Sequence, residues 1–122
     1  MAEPFRLTVG SLGSLPLLRL GGDMTFGQDL SALRQAASRV AGDGHTRIAL
    51  DMSRVGITDS SGLSALLDIK QLVGGINGRV LLLRPSDRLR GVLALMRVSV
   101  LFELVDDEAE LMRREGGSVD RG

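Results

Sequence analysis

The stretch RIALDMSRVGITDSSGLSALLDIKQLV, residues 47–73, decides the architecture. Arg47-Ile48-Ala49-Leu50-Asp51 is a short apolar run without polar alternation, the pattern of a strand covered on both faces. From Ser60 to about Val73 the period changes: Leu66, Ile69, Val73 and, beyond them, Ile76 share one side of a helix, with Ser64, Asp68 and Gln71 opposite. A buried strand feeding an amphipathic helix requires a crossover connection and therefore a largely parallel sheet. Asp51 to Ser60 reads as the loop joining them.

The same unit recurs on either side. Arg79-Val80-Leu81-Leu82-Leu83 repeats the buried-strand signature, and Ser86 opens a third helix whose inward side is Leu89, Val92, Leu93 and Met96. Phe102 to Val105 reads as a last short strand, and Asp107 to Arg114 as a closing helix headed by the acids Asp106, Asp107 and Glu108, which favour a helix start. Upstream, Phe5 to Val9 alternates with period two, Gly10 to Ser14 is rich in turn formers, and Pro16 to Leu20 extends again, giving an opening hairpin. Gly21-Gly22-Asp23 is expected to break that second strand. Thr25-Phe26-Gly27-Gln28 then fits a capping box for a first helix running to about Val40, with Leu30, Leu33, Ala37 and Val40 inward.

The resulting order is β-β-α-β-α-β-α-β-α: an α/β fold with a mostly parallel sheet of four to five strands and about four helices. One domain over residues 1–112 is expected. Gly74 and Gly75 should fray the second helix, and residues 113–122 have little to bury and are expected to form a disordered tail.

Composition narrows the function. Fifteen basic and fifteen acidic residues leave a formal net charge of zero, without the basic cluster of a nucleic-acid binder. Cysteine is absent and His45 is the sole histidine, which excludes thiolate chemistry and multi-histidine metal sites. No apolar run reaches the roughly 20 residues of a membrane span and no signal peptide opens the chain, so a cytoplasmic protein is expected. No cofactor is expected, and no Gly-x-x-x-x-Gly-Lys loop supports nucleotide binding.

The chemistry gathers at the strand-to-helix junction. It lies at the carboxyl end of a strand in an open α/β sheet, where such folds place their sites. Asp59 or Ser60 can cap the helix; Ser61 and Gly62 then fall in the first turn, where backbone N–H groups lack intrahelical partners and the helix dipole favours an anion such as phosphate. Four letters alone are better explained as an ordinary cap and turn.

Thr58-Asp59-Ser60-Ser61-Gly62-Leu63-Ser64-Ala65-Leu66-Leu67 resembles the Asp-Ser-Ser-Gly-Leu signature of bacterial anti-sigma factor antagonists, soluble members of the STAS family. The Asp51-Met52-Ser53 segment, the Gly21-Gly22-Asp23 turn and the order of elements are similar too, over roughly residues 5 to 112. The resemblance implies the STAS fold and a partner switch. The unmodified protein would bind an anti-sigma factor that is also a serine kinase and so free a sigma factor. Phosphorylation at Ser61 would release the complex, and a serine phosphatase would reset it. It further implies partner contacts at Asp23, Thr25, Thr58, Asp59, Ser60 and Gly62. Where family members commonly show Gly-Glu-Leu-Asp, this chain has Gly22-Asp23-Met24-Thr25, which leaves the identity of the kinase open.

Other readings carry less. Gly62-Leu63-Ser64-Ala65-Leu66 lacks the second glycine of a nucleophile elbow, and His45 precedes the central strand, so a serine hydrolase is disfavoured. A phosphate-accepting aspartate domain needs a lysine beside clustered acids, whereas Lys70, the sole lysine, falls mid-helix. A scaffold subunit of a stress-signalling complex, or the STAS component of a lipid-transport ABC system, would keep the same surface with another partner. Asp51 reads as structural, His45 as a solvated turn residue, and Arg84, Arg88 and Arg90 as a solvated face with a partner surface as the lesser alternative.

Overall fold

In the computed structural model, which describes residues 3–73 and 77–116, the chain opens as a hairpin of β1 (Arg6–Leu12) and β2 (Leu15–Met24). Then follow α1 (Ser31–Gly42), β3 (Arg47–Thr58), α2 (Ser60–Leu72), β4 (Arg79–Leu83), α3 (Asp87–Leu95), β5 (Glu103–Val105) and α4 (Glu108–Leu111). The strands lie in the order β1-β2-β3-β4-β5, antiparallel in the first pair and parallel in the others.

Each parallel strand is laid directly beside its predecessor, so crossovers of one hand stack their helices on one face. There Leu18, Ile48, Leu50, Val80 and Leu82 of the sheet pack against Leu33 of α1, Leu66 and Ile69 of α2, and Leu93 of α3. The other face carries Leu15, Leu17, Ala49, Leu81, Leu83 and Val105 beneath Leu111 of α4. Two covered faces are why Ile48-Ala49-Leu50 and Val80-Leu81-Leu82-Leu83 are apolar at consecutive positions.

Ion pairs fix the covering helix. Glu115, in a π-helical turn (Met112–Gly116) that continues α4, is buried and accepts from Arg79 Nη2 at 2.7 Å and from Arg47. Arg79 also grips Glu103 of β5 through Nε at 2.7 Å and Nη2 at 2.8 Å. Asp107 caps α4 by accepting from the Glu110 N–H at 2.8 Å. The expected tail from residue 113 therefore begins in described structure, while residues 117–122 lie outside the described residues; so do Gly74, Gly75 and Ile76.

Several expectations are corrected. The first helix begins at Ser31, and its N-cap residue Leu30 makes no side-chain cap bond. The proposed capping glutamine instead serves the segment just ahead of β1: Gln28 Oε1 accepts from the Phe5 N–H at 2.9 Å. Gly21-Gly22-Asp23 does not end β2, which continues to Met24. Gly22 adopts φ 78, and a Cβ there would collide with the Pro4 carbonyl, so only glycine lets the amino-terminal segment lie against this bend. β3 likewise runs on to Thr58 rather than ending at Asp51. Met96 caps the end of α3 and is 53% exposed instead of facing inward.

Gly62 sets how closely α2 docks on the sheet. A Cβ there would overlap the Met24 carbonyl oxygen and come within 2.8 Å of Met24 Cβ and Thr58 Cγ2. Alanine ordinarily favours a helix over glycine by ~1 kcal/mol. At Gly62 the obstacle is backbone, so Gly62→Ala is expected to destabilise the protein by about 2 kcal/mol in urea unfolding; unchanged or raised stability would contradict this packing.

Acid should loosen the α4 clamp. Burial alone would raise the Glu115 pKa, but bonds from Arg79 and Arg47 bring it below its ordinary 4.5, and Arg79 likewise lowers Glu103. A carboxylate depressed in the folded state contributes stability above its unfolded value and loses it as pH falls through the folded value. Unfolding free energy should thus be level near neutrality and decline below about pH 4.5, with Glu115→Gln making that decline shallower. An equally steep decline in the variant would show that the clamp plays no part.

Candidate functional site

At the carboxyl ends of β2 and β3 two loops meet. β3 enters α2 through Thr58 and Asp59, and β2 leaves through Thr25 and Phe26 toward α1. Asp59, in extended backbone conformation, caps α2: its Oδ1 accepts from the Ser61 N–H at 2.8 Å and the Gly62 N–H at 3.3 Å. Its other oxygen accepts from the Phe26 N–H at 3.0 Å. The Asp59 N–H in turn donates to the Met24 carbonyl at 3.3 Å. The Phe26 N–H foremost, joined by the Gly62 and Ser61 N–H groups, holds the Asp59 carboxyl below its ordinary pKa against the opposing effect of desolvation. It is an anion at neutral pH.

These bonds answer which residue caps the helix, and they alter one expectation. The Ser61 and Gly62 N–H groups are not vacant for a phosphate, because Asp59 already occupies them. The Ser61 hydroxyl itself makes no hydrogen bond among the described residues and is half-exposed. Ser60 beside it is exposed. Both hydroxyls border a shallow groove with Phe26, Gln28, Arg34 and Ser64.

Six of the seven residues singled out in the sequence converge here: Thr25, Thr58, Asp59, Ser60, Ser61 and Gly62. Thr25 and Thr58 are half-buried at the strand ends, and Gly62 is buried in the first turn of α2. Asp23 is different. It is 7% exposed, and its carboxylate accepts from the Ile57 N–H and the Glu3 N–H, each at 3.0 Å. Those two bonds lower its pKa and clasp β3 and the amino-terminal segment to β2. Asp51 also serves the structure, accepting from the Ser53 N–H at 3.0 Å and from Arg19 at 2.7 Å.

Sequence reading missed Phe26. It assigned this residue to the first turn of α1, whereas the loop leaves its ring 87% exposed beside the serines. An aromatic next to Gly27, in a chain with three phenylalanines and no other aromatic residue, was the available signal. Val100 and Leu95 are as exposed, and a single exposed apolar side chain is ordinary; what sets Phe26 apart is its place on the groove that both serines border. Arg34, whose Nε donates to Asp68 at 2.7 Å, completes the rim of the groove from α1.

Comparison with known proteins bears on the fold. The structure of the anti-sigma factor antagonist SpoIIAA in its unphosphorylated form is 24% identical, with a TM-score of 0.65 over 96% of each chain. SpoIIAA, described as a Bacillus cell fate determinant, in its phosphorylated form is 23% identical, with a TM-score of 0.62 over 96% of this chain and 97% of that one. An anti-sigma factor antagonist from Mycobacterium paratuberculosis is 19% identical, with a TM-score of 0.76 over 90% of this chain and 92% of that one. At these identities the likeness establishes the fold. Among curated proteins no sequence matches significantly. The model of the STAS domain matches residues 8–111, the span from β1 through α4, and the chain therefore belongs to the STAS domain family.

Proposed function

We propose that this protein is a cytoplasmic anti-sigma factor antagonist, a regulatory switch rather than an enzyme. Its unphosphorylated form binds a cognate anti-sigma factor with serine kinase activity and so frees a sigma factor; phosphorylation of Ser61 releases the complex, and a serine phosphatase restores it. The observation that carries this reading is the Ser61 hydroxyl, half-exposed and without a hydrogen-bond partner among the described residues, at the first turn of a helix in a STAS domain. SpoIIAA, known in unphosphorylated and phosphorylated forms, supports it by similarity.

In this proposal Thr25, Thr58, Asp59, Ser60 and Gly62 form the partner surface, with Phe26 as its apolar anchor. Asp23 acts on the partner through the strand ends it holds. A phosphate on Ser61 adds about two negative charges next to the Asp59 carboxylate. One pair of unit charges about 5 Å apart at an effective dielectric near 20 contributes roughly 3 kcal/mol, or ~100-fold in affinity. Because Asp59 occupies the Ser61 and Gly62 N–H groups, that charge meets no vacant donor at these two positions and bears on the docked partner unless it displaces the Asp59 carboxylate.

Ser61→Ala should bind the anti-sigma factor as the unmodified protein does and gain no phosphate, while Ser61→Asp binds at least tenfold more weakly, as expected of one added charge. Phe26→Ala should weaken binding by about tenfold or more without altering thermal stability, since its ring is in solvent. Calorimetry with the purified partner, and mass spectrometry after incubation with kinase and ATP, read these outcomes. Phosphate on Ser60 instead of Ser61, or equal affinity for all forms, would sink the proposal.

A further inference from the structure

A second concave site lies on the other face of the sheet from α1 and α2. Over the middle of β2 and β3, between the first residues of β1 and the end of β4 and beside the start of α4, a cleft of about 420 Å³ is lined by Arg6, Arg19, Arg54 and Arg84 with Asp51 and Glu108. Four guanidinium groups against two carboxylates leave an excess of positive charge in a chain that is neutral as a whole.

The charges are unevenly used. Arg19 is satisfied, with Nη1 2.7 Å from Asp51 and Nη2 2.8 Å from Glu108. Arg6 reaches only Glu3, at 3.9 Å and in solvent. The side chains of Arg54 and Arg84 have no partner among the described residues. Gathering unpaired guanidinium groups in one cleft is unfavourable unless an anion joins them.

Local backbone features hold them there. β3 carries one extra residue where it pairs with β2, between the partners of Arg19 and Gly21. Such a bulge interrupts the strand's alternation, and Ser53 and Arg54, adjacent in sequence, both line the cleft. Gly21 makes room for Arg6, since a Cβ there would lie 2.8 Å from the Arg6 Cζ. Arg84 adopts φ 53, a conformation that glycine would take without strain, fixed by its N–H bond to the Val105 carbonyl at 2.8 Å.

We propose that this cleft binds a small anion with two adjacent phosphoryl groups, held by Arg6, Arg54 and Arg84. Its volume falls in the range of about 300–1,000 Å³ typical of small-ligand sites. Guanidinium forks match phosphate oxygens two at a time, and the Thr8 hydroxyl at the cleft adds a donor. Asp51 and Glu108 repel an anion from the Arg19 end and so set where it sits. No part of this depends on the role of Ser61.

Inorganic pyrophosphate, titrated into the full chain at low salt and followed by calorimetry and amide chemical shifts, provides the test. One equivalent should bind saturably, shifting Thr8, Ser53, Arg54 and Arg84, and more weakly as salt rises. Arg54→Gln should lose affinity about tenfold, and adding Arg84→Gly about tenfold again; glycine suits that φ, so the fold survives. Arg39→Gln, which removes the same charge from α1, should bind as the native chain does. Citrate, carrying carboxylates only, should bind less well. Absence of saturable binding by about 10 mM pyrophosphate, equal losses with Arg39→Gln, shifts confined to the Ser61 groove, or citrate binding as tightly would each overturn the proposal.

Discussion

One carboxylate holds the candidate switch surface together. Asp59 accepts three backbone N–H groups, two from the first turn of α2 and one from Phe26 in the loop that leaves β2. Without it, the helix start would have orphan donors, and Phe26 would lose its hydrogen bond to the β3 loop. With it, Ser60 and Ser61 are presented on a fixed turn and Phe26 is held beside them. Gly62 completes the arrangement by letting the helix approach the Met24 carbonyl closely. A polar clasp and a missing side chain thus define the same short segment.

The strand-to-helix unit of residues 47–73 was legible because burial on both faces leaves apolar residues at consecutive positions, and that pattern survives without knowledge of neighbours. The helix caps were legible at Ser86 and Asp107, where the side chain bonds to a backbone N–H three residues on. Thr25-Phe26-Gly27-Gln28 has the letters of a cap but not its role. Gln28 is drawn away by the Phe5 N–H, a contact across 23 residues of sequence that local reading has no access to. The same holds for Asp23, whose partners Ile57 and Glu3 come from separate segments.

The long β3 was shortened in the sequence reading for a related reason. Its later half, Ser53 to Thr58, has neither a continuous apolar run nor clean alternation, because extra residues break its register with β2. Sequence periodicity is a projection of regular pairing, and a bulge removes the regularity while keeping the strand. Irregularity of this kind recurs beside sites, and here it lies between the arginine cleft on one face and the serine turn at the strand's end. The charged cleft was invisible for the same cause: Arg6, Arg19, Arg54 and Arg84 are scattered along the chain and only the sheet assembles them.

The placement of Asp59 also bears on how a phosphate at Ser61 would act. A helix start with vacant N–H groups would neutralise much of an added dianion by hydrogen bonds and dipole, and little of the charge would reach a partner. Here those groups are bonded to a carboxylate that is itself ionised at neutral pH. A phosphate on the neighbouring side chain would have to displace that carboxylate, undoing the link to Phe26, or stand out from the surface with its charge uncompensated. Either course degrades the surface that a partner reads, the first by moving Phe26 and the second by repulsion. The clasp that makes the turn rigid in the unmodified protein is therefore also what makes it sensitive to modification.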